Sequence, residues 1–340
     1  MVVSVILMCM GSLAIAASPI YAQVGIFAPI ILLLARMFQG LSVGGEYGAT
    51  ATYMSEVALK GKRGFFSSFQ YVTLIGGQLL AVLVIVILQN MLLEAEIKNW
   101  GWRIPFVIGA LTSIVALKLR STLKETTTEQ SRTHKDAGNF KILITKYKRS
   151  FFIVFGYTAG GSLSFYTFTT YMQKYLINSA GFSIKSSSNV MSGCLFAFMI
   201  MQPLFGALSD KIGRKKNMLF FAGIGALITI PIMMTLRTVT NPYMAFLLIC
   251  FALAVVSLYT SVAGIVKAEM FPIELRALGV GLAYAIGNAL FGGSAEFVAL
   301  YFKAAGIESG FFVYVTIMMV VVFIVSLNMP NDPEFLANDR

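Results

Sequence analysis

Two ionisable residues lie inside one long apolar run of the sequence. Arg36 and Glu46 fall within residues 27–55, where most side chains are small or apolar. An arginine at the centre of a membrane helix costs about 2.5–3.5 kcal/mol on insertion scales, so such a residue usually faces a cavity or a partner. We therefore expect Arg36 to face a central cavity, where its charge attracts a carboxylate or couples to an acid. The alternative is that its side chain reaches the membrane interface.

Glu46 has the chemistry of a proton carrier. Desolvation raises the pKa of a buried carboxyl toward the range in which it binds and releases protons. The alternative is a structural glutamate that neighbouring helices satisfy. Gly40, Gly44 and Gly48 follow Arg36 at steps of four residues, and this spacing of small residues predicts close helix packing.

The composition identifies the solvent in which these residues must work. Hydrophobic residues make up 57% of the 340 residues, charged residues make up 12%, and the mean hydropathy is +0.79. Such values predict an all-α polytopic membrane protein. Ten apolar runs have lengths near the roughly 20 residues needed to cross a bilayer: 2–22, 27–55, 65–93, 103–119, 151–174, 187–208, 218–236, 243–267, 278–302 and 310–328.

The basic residues predict the orientation of these spans. Nineteen of the 26 lysines and arginines, Lys267 and Arg276 among them, fall on one side if the spans alternate. Cytoplasmic loops keep such an excess, so this side and the C-terminal tail are expected in the cytoplasm. The same distribution accounts for the net charge of +11, and a nucleic-acid partner is not expected.

Few residues suit enzyme or metal chemistry. Cys9, Cys194 and Cys250 lie in separate apolar runs without metal-ligand spacing, and the single histidine, His134, lies in the hydrophilic loop. Metal sites and histidine-based catalysis need closely placed ligands or bases. We therefore expect neither an enzyme nor a metal or cofactor, and no ATP-binding motif indicates a pump.

One polar interruption divides the chain. Residues 120–150 are predicted to form a cytoplasmic linker between a four-span bundle (1–119) and a six-span bundle (151–328), with a tail at 329–340. Two triplets with the pattern E-x6-R-x7-Y cross that divide at a constant offset of 213 residues: Glu56, Arg63 and Tyr71, and Glu269, Arg276 and Tyr284. Parallel repeats of this kind are a feature of transporters whose site lies between two halves.

A loop motif identifies a family resemblance. GALSDKIGRKK (206–216) is similar to the G-x-L-x-D-x-x-G-R-K loop signature of the major facilitator superfamily, and R-x-x-Q-G at 36–40 is similar to its fourth-helix motif. Within that superfamily the stretches GLSVGGEYGATATYMSE, WGWRIPF and KAEMFPIELRALGVGLAYA resemble the metabolite:proton symporters, dicarboxylate permeases above all. Members have twelve helices, so we expect this fold without its first two helices, about ten spans arranged 4+6.

The resemblance and the residues together predict three sets of functional side chains. A dianion needs more than one positive partner, and the resemblance makes Arg103, otherwise an interfacial anchor beside tryptophans, a second cation next to Arg36. The predicted substrate-binding residues are Arg36, Arg103, Tyr71, Gln78, Tyr166 and Asn288, and the predicted proton-coupling residues are Glu46 and Glu296. The predicted cytoplasmic gate consists of Asp210, Arg214, Glu56, Arg63, Glu269 and Arg276, for which solvated helix-end charges are the alternative.

The expected function is secondary transport. The resemblance implies that a proton gradient drives import of a small carboxylate, such as the dicarboxylate 2-oxoglutarate, by rocking of two bundles. The expected protein is a monomer embedded in the lipid bilayer of a bacterial inner membrane. The same fold in another member of the family could instead carry a shikimate-like aromatic acid, citrate, or proline and betaine. An inactive truncated remnant is the remaining alternative.

Overall fold

The computed structural model describes residues 2–59, 61–121 and 138–330, and every regular element among them is helical. In chain order the helices are α1 (Val2–Ala16), α2 (Tyr21–Val24), α3 (Phe27–Val57), α4 (Arg63–Met91), α5 (Glu94–Asn99), α6 (Ile104–Ser121), α7 (Phe140–Lys146), α8 (Lys148–Tyr166), α9 (Met172–Asn178), α10 (Ile184–Ile212), α11 (Arg214–Thr238), α12 (Pro242–Thr260), α13 (Ala263–Ala268), α14 (Ile273–Gly287), α15 (Ala295–Ala304) and α16 (Ser309–Leu327). A 3-10 turn at Gly101–Arg103 precedes α6, and π-helical turns at Thr167–Tyr171 and Asn288–Gly292 follow α8 and α14.

The predicted spans agree with these helices. Among the described residues, eight helical segments are long and apolar enough to cross a membrane, and they coincide with eight of the ten predicted runs. The other two runs correspond to the shorter apolar helix Ser4–Ala16 and to the helical stretch 148–178. Many large apolar side chains face outward, as Leu227 (77% exposed) and Phe297 (74%) do. An apolar exterior suits a lipid environment, in which helices satisfy their own backbone groups.

Several boundaries differ from the predicted ones. The run predicted over 2–22 is interrupted because α1 ends at Ala16, shortly before Pro19, which disfavours helical backbone in the residue before it. Residues 138–150 of the predicted linker include α7 and the beginning of α8. Residues 122–137, with His134, and the tail residues 331–340 lie outside the described residues.

The two halves of the chain meet along two helix pairs. In the first half α1 packs against α3 and α6, and in the second α10 and α11 pack against α12 while α8 packs against α14 and α16. Between the halves, α3 packs along α14 and α4 packs along α10. These contacts place both halves of the internal repeat against each other.

Glycines allow the halves to approach closely. A methyl group added to Gly64 would lie 2.5 Å from the Gly206 carbonyl oxygen, and one added to Gly206 would lie 2.6 Å from that of Gly64. A methyl group on Gly48 would lie 2.8 Å from the Cα atom of Gly281. Gly48 therefore packs as predicted, whereas a methyl group on Gly40 would meet nothing within 4 Å, so the predicted packing role of Gly40 is wrong.

Candidate functional site

One end of the bundle collects the charged residues that the sequence singled out. We call it the basic end: α3 ends and α4 begins there, α10 turns into α11, and the chain passes from α13 to α14. The turn from α10 to α11 requires Gly213, whose φ of +90° is strained for other residues. This turn places Asp210 and Arg214, one on each helix, next to the first half of the chain.

Asp210 joins the second half to the first. Its Oδ1 accepts a hydrogen bond from the Gly64 N–H at 2.8 Å, and its Oδ2 accepts one from the Phe65 N–H at 3.0 Å. These N–H groups belong to the first turn of α4, where a helix has unsatisfied donors and a partial positive charge. Oδ1 also lies 3.0 Å from an Arg214 nitrogen. A carboxylate from α10 thus stabilises the beginning of α4.

Arg214 links Asp210 to Glu269. The Arg214 Nε atom lies 3.6 Å from Glu269 Oε1, and the Glu269 side chain is only 6% exposed. Burial raises the pKa of Glu269 to about 7, and Asp210 adds to this increase, while the positive charges of Arg214, Arg63 and Arg276 oppose it. Glu269 lies between α13 and α14, outside the candidate spans, and changes protonation near neutral pH.

Arg276 forms the matching link in the other direction. Its side chain is fully buried, its NH1 lies 3.4 Å from Glu56 Oε1, and its Nε donates to the Phe271 carbonyl at 3.4 Å. The repeated triplets therefore meet reciprocally, since Glu56 of the first half pairs with Arg276 and Arg63 acts on Glu269 of the second. All six predicted gate residues lie in one connected network. Their role as a gate stays a prediction.

A layer of aromatic residues lies farther from the basic end. Tyr47 of α3 and Tyr284 of α14 stack across the halves with ring centroids 3.5 Å apart, and Tyr71 of α4 interacts with Tyr47. The Lys267 side chain is fully buried among Tyr47, Tyr259 and Tyr284, which we call the tyrosine cage. The sequence prediction counted Lys267 among the charges of the basic loops. Its position inside the apolar segment VAGIVKAEMF was the signal that could have identified it.

The predicted polar contacts lie along the same interface. The Gln78 side chain donates to the Thr170 hydroxyl at 3.4 Å and so connects α4 to the π-helical turn after α8. A methyl group on Gly292 would lie 2.8 Å from Tyr166 and 2.9 Å from the Asn288 side-chain oxygen, so these two residues are neighbours. Gln78, Tyr166 and Asn288 are all half-buried. Their substrate contacts stay predictions.

The two predicted substrate arginines lie apart from this layer. The exposed Arg36 donates to the Gln39 side chain at 3.2 Å and places its guanidinium 5.5 Å from the centre of the Phe106 ring. Arg103 donates to the backbone carbonyls of Ser18 at 3.0 Å and of Asn99 at 3.3 Å. Arg103 thereby ties the turn after α1 to the beginning of α6.

The two predicted proton carriers have different surroundings. Glu46 is half-buried on α3, next to Tyr47, and its Oε2 atom is shielded from solvent. Glu296 forms an ion pair with Lys174 of α9, and both side chains are partly exposed. Proton coupling by either residue stays a prediction.

Known proteins resemble this chain over most of its length. It is 58% identical over 327 residues to a protein of Escherichia coli strain K12 named "Alpha-ketoglutarate permease", a match that covers 96% of this chain and 76% of the relative. It is 31% identical over 298 residues to the "Proline/betaine transporter" of the same strain, covering 84% of this chain and 59% of the relative. These relatives are transporters, which confirms the prediction that the protein is not an enzyme.

Solved structures share the fold. The proton:xylose symporter XylE aligns with a TM-score of 0.74 and 17% identity over 96% of this chain and 78% of that one. The outward-facing FucP transporter aligns with a TM-score of 0.66 and 14% identity over 97% and 82%. The family model described as Major Facilitator Superfamily matches residues 1–288 and 163–340. The chain therefore belongs to the Major Facilitator Superfamily, as the loop motif at 206–216 predicted.

Proposed function

We propose that the protein is a proton-coupled symporter that imports a small dicarboxylate, 2-oxoglutarate, across a bacterial inner membrane by alternating access. The observation that carries the proposal is the network of six charges from both halves at the basic end. Such a network can hold this end shut in one state and must open in the other. The substrate follows from the relative named α-ketoglutarate permease.

The geometry supports a rocking motion of the two halves. At the close contacts of Gly64 with Gly206 and of Gly48 with Gly281 the two backbones meet directly, so no large side chain has to be withdrawn when the halves separate there. In the proposed cycle the basic end faces the cytoplasm, together with the C-terminus, and a monomer is sufficient. Separation of the halves at this end breaks the Asp210 and Arg276 contacts and opens the interface to the cytoplasm.

The proposed substrate contacts lie between the halves. Tyr71, Gln78, Tyr166 and Asn288 supply hydroxyl and amide groups that can orient a carboxylate or a keto group. Arg36 and Arg103 are the proposed cations toward the opposite end, and Arg103 must exchange its backbone partners to serve in this way. Glu46 and Glu296 are the proposed proton carriers.

Uptake by the purified chain in liposomes tests the proposal. We expect radiolabelled 2-oxoglutarate to enter faster when the outside is made acidic, and an uncoupler to remove this acceleration. Excess unlabelled 2-oxoglutarate should compete, whereas proline and betaine should not, because they lack the second carboxylate. Uptake that ignores the pH gradient would contradict proton coupling, and competition by betaine alone would support the second candidate, an osmolyte transporter like the 31% identical relatives. Uptake no faster than in protein-free liposomes would overturn the proposal.

A further inference from the structure

The transport scheme above has no role for Lys267, whose amino group is buried between the halves. Its side chain has 0% exposure, and its Nζ donates to the Tyr47 hydroxyl at 3.0 Å. The same nitrogen lies 4.7, 4.9 and 5.4 Å from the ring centroids of Tyr47, Tyr284 and Tyr259. No ion pair among residues 2–59, 61–121 and 138–330 includes Lys267.

The tyrosine cage satisfies an ammonium group only in part. A lysine ammonium has three N–H donors, and a buried charge is normally paired with an opposite charge. Here one donor has a hydroxyl acceptor, and the remaining attraction comes from ring faces, which stabilise a cation less well than a carboxylate does. The cage is thus a site at which an anion would be a better partner than the groups now present.

The cage is assembled from both halves of the chain. Lys267, Tyr259 and Tyr284 belong to the second half, whereas Tyr47 belongs to α3 of the first and closes the cage by stacking on Tyr284. When the halves separate, Tyr47 leaves with α3 and one side of the ammonium becomes accessible. Tyr259 and Tyr284 belong to the second half with Lys267, so they stay beside its amino group and their hydroxyls can donate to an anion.

The depth of the cage suits a substrate site. Tyr47 lies ten residues before the end of α3, and Tyr284 lies eleven residues after the beginning of α14. At 1.5 Å per residue the Cα atoms of both tyrosines lie about 15 Å along their helices from the basic end, near the middle of a hydrocarbon core about 30 Å thick. Lys267 lies two residues before Glu269, and its side chain reaches Tyr47 from the basic end. Transporters built from two like halves bind their substrates near this midplane.

We propose that Lys267 binds one carboxylate of the transported anion, which replaces Tyr47 as the partner of the ammonium when the halves separate. This inference rests on the proposed function and adds a specificity-determining cation to it. With Lys267 holding one carboxylate, the opposite carboxylate of a dicarboxylate can reach toward the half-buried polar groups of Tyr166 and Asn288. A solute without an anionic group gains nothing from this site.

Substitution of Lys267 tests the inference. Lys267→Met keeps the length of the side chain without its charge, Lys267→Arg keeps the charge, and Lys185→Met removes the charge of an exposed lysine as the matched control. Binding of 2-oxoglutarate is measured on detergent-purified protein by calorimetry and by the rise in Tm that the ligand causes. We expect about a 100-fold weaker affinity for Lys267→Met, as for loss of one partner of a buried charge pair, and affinity within about tenfold of wild type for Lys267→Arg.

The Tm without ligand separates binding from folding. Replacing a buried ammonium by an apolar side chain should leave this Tm unchanged or higher, so a folded Lys267→Met protein that no longer gains Tm from 2-oxoglutarate supports a ligand contact. The inference would be overturned if Lys267→Met bound 2-oxoglutarate within about threefold of the wild-type affinity. A threefold change is less than the tenfold that 1.4 kcal/mol produces. Equal weakening in Lys267→Arg and Lys267→Met would overturn it as well, since charge would then not matter. Failure of the wild-type protein itself to bind 2-oxoglutarate would instead contradict the proposed function.

Discussion

Neutralising Asp210 should open the basic end of the bundle. In Asp210→Asn the side chain keeps one oxygen, but its amide group now faces one of the two backbone N–H groups of Gly64 and Phe65 that the carboxylate accepted at 2.8 and 3.0 Å. The N–H group that faces the amide loses a charge-assisted hydrogen bond, which contributes about 1.5–3 kcal/mol, and the partly exposed pair with Arg214 contributes about 0–1 kcal/mol. The closed state should therefore lose about 2–3 kcal/mol, which raises the open population about 30- to 150-fold.

A cysteine between the halves can report this opening. Ser68 is fully buried on α4, and a methyl group on Gly206 would lie 2.9 Å from its Cβ, so Ser68→Cys should react with a maleimide only when the halves separate. The background carries alanine in place of Cys9, Cys194 and Cys250. If opening and closing are fast relative to labelling, the labelling rate is proportional to the open population.

The matched control is a charge change on the next residue. Lys211 is exposed, so Lys211→Gln alters the net charge of the same segment without touching α4, and its labelling rate should equal that of the parent. We expect Asp210→Asn to accelerate labelling about 30-fold or more. A labelling rate within about threefold of that of the Ser68→Cys parent corresponds to roughly 0.6 kcal/mol or less. Such a rate would refute the idea that Asp210 holds the two halves together.

Three further changes test the same network. Gly206→Val should prevent closure, because its side chain would meet the Gly64 carbonyl oxygen at 2.6 Å, and the Ser68→Cys labelling rate should rise in this variant; an unchanged rate would contradict the close contact. Glu56→Arg and Arg276→Glu should each abolish uptake, whereas the double exchange should restore part of it, measured in liposomes; additive losses would show that the two residues do not pair. The raised pKa of Glu269 predicts that Ser68→Cys is labelled more slowly as the pH falls from about 7 to 5, and Glu269→Gln should remove most of this dependence. An unchanged pH profile in Glu269→Gln would exclude Glu269 as the group responsible.

The sequence predicted the fold and the charged network well because each depends on a local or repeated signal. Apolar runs of span length report helices directly, and only details such as the early end of α1 before Pro19 were missed. The triplets beginning at Glu56 and Glu269 recur at one offset, so their common location followed from the symmetry of two like halves. The reciprocal pairing of Glu56 with Arg276 needed coordinates, since spacing along one chain does not say which partner crosses the interface.

The tyrosine cage was not predictable in the same way. Lys267 lies two residues before a predicted gate residue, and the excess of basic residues on that side made a loop position the natural interpretation. Tyr47 is one aromatic residue among many in apolar runs. Neither its stacking on Tyr284 nor its bond to Lys267 can be predicted from the spacing of these residues in the sequence. Arg36 and Arg103 are the opposite case. A charge within or beside an apolar run is easy to see in the sequence, but in the structure both arginines bond to neighbouring groups, Gln39 and the Ser18 carbonyl.

The protonation of Glu269 makes closure of the basic end depend on pH. In the closed basic end burial raises the pKa of Glu269 from 4.5 to about 7, and a glutamate released into water returns toward the lower value. The closed state therefore binds the proton more tightly than the open state. Acidification from pH 7 toward 4.5 stabilises the closed state by up to about 3 kcal/mol, and this stabilisation is lost as the pH rises through 7.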